Sequence, residues 1–237
     1  MKKRIWELDA ARGLCVLGMV LVHLIYDIVE MYGLVAWEYP TWFILVKEWG
    51  GLLFLLISGI CVTLGSHCVK RGLWVFVCGL VCTAVTGAMV LLDLAGQGMV
   101  IWFGVLHCLG LCMLLWPLFS RLPTWLLGVL GTVIAVIGFY FSYGVTVNTW
   151  MLIPLGLTFP DFATPDYFPL FPNLGFFLLG TVLGKTLYKN KTTLLPRINP
   201  KTPIAAFFTL LGRYSLWIYL LHQPILSAVC YGISILR

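Results

Sequence analysis

From Leu8 to Ile235 the chain is a succession of apolar runs, each about 20 residues long, with most of its charge confined to the short stretches between them. Only 10% of its 237 residues are charged and 61% are hydrophobic. Soluble domains carry about 25% charged residues, so this composition leaves no room for a sizeable soluble domain. The pattern predicts an all-α, polytopic integral membrane helix bundle forming a single domain over 1–237.

The formal net charge of +6 does not point to nucleic acid, because the basic residues sit in loops and at helix ends, where the positive-inside rule accounts for them. The eight cysteines do not form a disulfide framework: seven lie in apolar segments, and Cys68 lies beside a basic loop. Cys78/Cys82 and Cys108/Cys112 are each one helical turn apart, a spacing that suits small apolar packing; no metal is expected. Met1-Lys2-Lys3-Arg4 is similar to the start of a signal peptide. The apolar run after it contains Asp9 and Arg12 and has no small-residue cleavage site, which marks a retained helix.

The expected helices cover about Leu8–Glu30, Thr41–Gly65, Leu73–Leu92, Val100–Phe119, Thr124–Phe141 and Leu174–Tyr188. A last helix, or a short helix leading into it, runs from Pro203 to about Ile235. This gives about 7 crossings. Residues 142–173 hold five prolines and two aspartates, so a short helix near Trp150–Leu157 and an irregular loop are expected there; a broken or re-entrant segment near 148–173 fits equally well. With the N-terminus inside, Lys2, Lys3, Arg4, Lys70, Arg71, Arg121, Lys185, Lys189, Lys191, Arg197 and Lys201 all fall on the cytoplasmic side. Glu30, Glu38, Asp93, Asp161 and Asp166 then fall outside.

The first helix carries Asp9, Arg12, His23 and Asp27, and ionisable groups at such depth usually face a bundle interior or a watery cavity. His23 lies about 7 residues, or about 10 Å, from the outer end of its helix, and Glu48 and His107 lie at similar depth in theirs. Asp27 follows His23 by four residues on the same helical face, where a carboxylate can fix the imidazole and raise its basicity. His222 sits nearer the midplane, followed by Gln223 and Pro224. A lone membrane histidine more often packs or hydrogen-bonds than catalyses, and that applies to His107 and His222 taken singly. Lys47 has the reach to snorkel to the surface, and His67 sits in a basic turn with no evident role. Arg12 and Arg213, at the inner ends of the first and last helices, either bind phosphates or satisfy the positive-inside rule. The same His/Asp/Glu layer would also suit a proton-coupled small-solute transporter.

The spacing Arg12-x10-His23 resembles the signature of transmembrane acyltransferases. Longer stretches are similar to bacterial proteins of the heparan-α-glucosaminide N-acetyltransferase catalytic family. They include Leu8-Asp9-Ala10-Ala11-Arg12-Gly13-Leu14, His23-Leu24-Ile25-Tyr26-Asp27, Leu53 to Gly59 and Phe103 to Leu111. Further on come Asp166-Tyr167-Phe168-Pro169-Leu170, Leu178 to Gly184, Leu211 to Leu216 and Ile218 to Pro224. Asn173 departs from the pattern, in which an aromatic residue often precedes the Leu-Gly pair.

The resemblance implies acyl transfer across the bacterial inner (plasma) membrane. The donor would be cytoplasmic acetyl-CoA or another acyl-CoA. The acceptor would be a hydroxyl or amine, on a small molecule or glycan, at the outer face. His23 would be the catalytic base or carry the acyl group, and Asp27 would orient it, with His107 and Glu48 in the same catalytic layer. Arg12 and Arg213 would contact the CoA phosphates or fix the bundle. Ser58, Tyr219, His222 and Gln223 would line the cavity. The partners expected are therefore the lipid bilayer, acyl-CoA and the acceptor, with assembly into a homo-oligomer left open.

Overall fold

A computed structural model describes residues 4–142 and 145–236. Lys2 and Lys3, assigned above to the cytoplasmic side, lie outside the described residues. Every regular element described is helical, apart from two isolated bridges that pair Phe103 with Tyr167 and Thr146 with Thr158. The described residues fall into two compact units, residues 4–54 with 191–236, and residues 55–190.

The first unit begins with α1, Trp6–Tyr26. Its apolar residues and late histidine suit a helix throughout, but the helix changes form at Asp27. Asp27–Met31 is π-helical, with the Tyr32 amide donating to the Asp27 carbonyl at 2.9 Å. A wider turn of this kind re-aims the side chains that follow it and is frequent at functional sites. α2, Thr41–Leu64, gives residues 41–54 to this unit. The last helical stretch is interrupted at Tyr214, giving α7, Pro203–Arg213, and α8, Ser215–Ile235. Pro203 is the first residue of α7, where its missing amide costs nothing.

α7 packs along α1 through glycines. A side chain at Gly13 would meet the Phe208 carbonyl, and one at Gly212 would meet the Asp9 carbonyl. Backbones approach this closely only where both faces are small. The loop before α7 is hooked to α1 by Glu7, which accepts from the Thr193 hydroxyl at 2.9 Å and the Leu194 amide at 2.7 Å.

The second unit contains the rest of α2 with α3 (Cys68–Leu91), α4 (Val105–Ser120), α5 (Thr124–Ser142) and α6 (Leu170–Thr186). α6 is its core. Leu174, Phe177, Leu178 and Thr181 are buried, and glycines let two neighbours close on it. On one side Gly59 of α2 faces the Phe177 carbonyl, and Gly180 faces the Leu56 carbonyl. On the other, Gly175 lies against Ala135 and Gly131 of α5. The outward faces stay apolar: Leu73, Trp74, Val77, Leu80, Val81 and Val85 of α3 are exposed, a surface suited to hydrocarbon.

Three boundaries differ from the sequence reading. α3 begins at Cys68, because Lys70 and Arg71 are accommodated in its first turn, where long basic side chains reach the interface. α4 begins at Val105, because residues 100–104 are drawn into extended contacts: Ile101 bonds the hydroxyls of Thr83 and Thr86. α6 starts at Leu170, with Phe171 in a non-helical conformation before Pro172.

The expected short helix is a 3-10 segment, Trp150–Leu155. The irregular stretch after it is tied down. Tyr167 donates to the Ile153 carbonyl at 2.8 Å, and burial pushes its phenol above the ordinary range. Thr164 donates to the Val100 carbonyl at 2.7 Å.

Among the described residues five helical stretches are long and apolar enough to cross a bilayer: Trp6–Met31, Thr41–Leu64, Cys68–Leu91, Thr124–Phe141 and Ser215–Ile235. α4 and α6, at 16 and 17 residues, are apolar but shorter. This is the polytopic helical membrane bundle expected from the sequence.

Candidate functional site

The polar centre of the first unit lies between α1 and α8. Asp27 is fully buried at 0% exposure. Among the described residues it forms no ion pair, and a lone carboxylate in such surroundings needs strong hydrogen bonds. Gln223 supplies them: its amide nitrogen lies 2.9 and 3.1 Å from the two carboxylate oxygens and 3.3 Å from the Ser227 hydroxyl. A carboxylate only accepts, which fixes the amide with its NH2 group toward Asp27. The Gln223 Oε1 is thereby turned away, buried and without a hydrogen-bond partner. The Tyr32 hydroxyl donates to the Ser227 carbonyl at 3.1 Å and closes the end of the site.

Two histidines meet beside this pair. The rings of His23 and His222 stand edge to face with centroids 4.8 Å apart. His222 Nδ1 lies 2.7 Å from the Tyr219 carbonyl. That oxygen only accepts, so Nδ1 carries the proton and Nε2 presents a lone pair. Nε2 is buried with no hydrogen-bond partner. The Tyr219 ring packs on His222 with centroids 5.6 Å apart. Asp27 lies within electrostatic reach of His222, and Lys47 within reach of His23.

The expected pairing of Asp27 with His23 is replaced by another. No hydrogen bond joins them among the described residues; the carboxylate turns to Gln223 across the helix interface. The spacing does put His23 and Asp27 one turn apart, but the onset of the π-helix at Asp27 and the two-pronged amide on α8 set the carboxylate's direction. Glu48 is exposed and makes no described hydrogen bond or ion pair.

At the N-terminal end of α1 the two arginines behave differently. Arg12 donates to the Ser215 hydroxyl at 2.9 Å and lies over the Phe54 ring at 5.8 Å, while its Nε is buried and unpartnered. Arg213 is half exposed and 3.9 Å from Asp9, which also lies 3.7 Å from Arg4. Arg213 lines a cavity of about 620 Å³ together with Lys201 and Thr209, and the buried Thr209 hydroxyl has no hydrogen-bond partner. Two cations and a free hydroxyl at one cavity are groups that hold phosphate oxygens.

His107 and Ser58 belong to the second unit. Both nitrogens of His107 are committed. Nδ1 accepts from the Gly104 amide at 3.2 Å, and Nε2 lies 3.2 Å from the Thr83 hydroxyl, whose own proton goes to the Ile101 carbonyl. Phe103 stacks on the ring and Phe76 meets its edge. Asp166 accepts from the Val105 amide at 3.1 Å. His107 and Asp166 thus cap the start of α4, and His107 has no lone pair left for proton transfer. The sequence reading put His107 in a catalytic layer; here the ring is engaged at the start of α4. Ser58 is buried, with an unpartnered hydroxyl. Among the described residues no cluster of His, Cys, Asp and Glu is arranged to hold a metal ion.

The apolar helices and the buried His/Asp/Gln cluster define a polytopic membrane protein with a polar site built from its first and last helices. Residues 4–224 match the family described as heparan-alpha-glucosaminide N-acetyltransferase, catalytic, and the chain belongs to that family. Membership implies a transmembrane acyltransferase using an acyl-CoA type of donor. No curated protein and no solved structure matches the chain.

Proposed function

We propose that the protein transfers an acetyl or similar acyl group from cytoplasmic acyl-CoA to a hydroxyl or amine at the outer face of a bacterial inner membrane. The acceptor is a sugar or glycan, and His23 is the catalytic histidine. The observation that carries this reading is the meeting of His23, His222, Asp27 and Gln223 between α1 and α8. It is a buried polar site in an apolar setting, where proton transfer and charge stabilisation are strongest.

In this reading Arg213 and Lys201 hold the CoA phosphates, and Thr209 adds a donor. Arg12 fixes the start of α8 through Ser215. The N-terminus is cytoplasmic, which keeps the basic loops on the donor side. Seven crossings follow when α4 and α6 are counted as spans. Asp27, held by Gln223, stabilises positive charge that develops on the histidines.

The test is binding of acetyl-CoA to the detergent-solubilised protein, by calorimetry, for wild type and His23→Ala, followed by transfer of radiolabelled acetyl to glucosamine. Binding by both with transfer by the wild type alone is expected. Absence of binding to any acyl-CoA, with solute flux in vesicles that ignores acyl-CoA, would establish a proton-coupled transporter instead.

A further inference from the structure

His222 differs from the other histidines of the site and the core. His107 uses both nitrogens, and His23 has no hydrogen bond among the described residues to set its tautomer. Of these three, His222 combines a fixed tautomer, with Nδ1–H on the Tyr219 carbonyl at 2.7 Å, with a buried Nε2 lone pair that nothing among the described residues satisfies. A buried acceptor left without a donor is costly, on the order of 1–3 kcal/mol, and such a group in a native site suggests a ligand that supplies the donor. Gln223 Oε1, one residue on, is a second unsatisfied acceptor. A ligand bearing O–H or N–H groups fits this pair; a thioester carbonyl, which only accepts, does not.

We propose that His222 Nε2 is the general base of the transfer, receiving the proton of the acceptor's attacking hydroxyl or amine. The inference rests on the acyltransferase reading above and assigns the base to α8, with His23 beside the reacting carbonyl. The acceptor's oxygen or nitrogen forms a bond to the acyl carbon, and its proton passes to His222 Nε2. The C–S bond breaks, CoA leaves as the thiolate, and the imidazolium returns the proton to the sulfur. Asp27 is within electrostatic reach of the imidazolium while it exists. Tyr219, whose carbonyl holds Nδ1, is the positioning residue.

The experiment uses the full chain in detergent, as wild type and His222→Gln, with acetyl-CoA as donor and either glucosamine or hydroxylamine as acceptor. Hydroxylamine is neutral near pH 7 and needs no base to become a nucleophile. Loss of a general base costs about 10²-fold or more. We expect His222→Gln to bind acetyl-CoA within about twofold of wild type, to lose about 10²-fold with glucosamine, and to lose less than about tenfold with hydroxylamine. Equal losses with both acceptors, unchanged turnover, or a loss matched by loss of donor binding would each overturn the assignment. Nitrogen-15 histidine NMR gives a readout independent of turnover: the signals absent from His222→Gln must show a protonated Nδ1 and a bare Nε2, and a protonated Nε2 in the neutral ring overturns the proposal. A wild type that binds acetyl-CoA but serves neither acceptor overturns the base role. A wild type that does not bind acetyl-CoA sinks the acyltransferase reading itself.

Discussion

Asp27 shows what one side chain contributes to this site. Both its oxygens rest on one amide nitrogen, so Asp27→Asn sets an NH2 group against an NH2 group. We expect acetyl-CoA affinity to be kept, turnover to fall, and the unfolding temperature in detergent to drop in line with a loss of about 1–3 kcal/mol. Full activity and stability would remove Asp27 from the mechanism. His107→Gln is expected to lower stability by a similar amount, about 1–3 kcal/mol, because the Gly104 amide and Thr83 lose their partner. Its acetyl-CoA affinity should be unchanged, and a selective loss of turnover would place His107 in catalysis. Sequence spacing placed His23 and Asp27 together because helical neighbours are readable at four-residue intervals. It could not reveal that Gln223, 196 residues away, would claim the carboxylate. The capping role of His107 had a signal in Gly104, three residues earlier, but its stacking on Phe103 and its edge contact with Phe76 require the fold.

Helices in this protein are brought together by glycine against backbone. At Gly59 and Gly180 an added methyl meets a carbonyl of the opposing helix, which has nowhere to move. Gly59→Ala or Gly180→Ala should cost about 1–3 kcal/mol through overpacking, read as a lower midpoint of thermal unfolding. Gly18→Ala, where nothing lies within 4 Å, should be neutral or slightly stabilising. The existence of the helices was legible in their apolar length. Their ends were less so: the start of α3 hides behind two basic residues, and the break at Tyr214 has no proline to announce it. The break matters because it lets Arg213 lie by Asp9 while Ser215, two residues on, takes Arg12.

For the molecule as a whole, charge distribution makes a sidedness claim that can be checked directly. Reporter fusions after Lys70, Arg121 and Lys189 should read cytoplasmic, and fusions after Glu38, Asp93 and Asp161 should read external. A single reversed position would revise the count of crossings. Family membership and fold class were both open to a reading of the chain, since apolar runs and ordered motifs are local. The division of the described residues into two compact units was not, because it follows from which helices touch. The polar cluster joins α1 to α8, whose Asp27 and Gln223 lie 196 residues apart, and this affects its assembly. The first helix enters the bilayer carrying Asp27 long before α8 has been made, so the carboxylate waits through most of translation without Gln223. A chain stopped before Ser215 would keep a buried acid with no partner, and membrane quality control should degrade it faster than the full-length protein. Completing α8 therefore gives Asp27 its partner and releases the nascent protein from that surveillance in the same event.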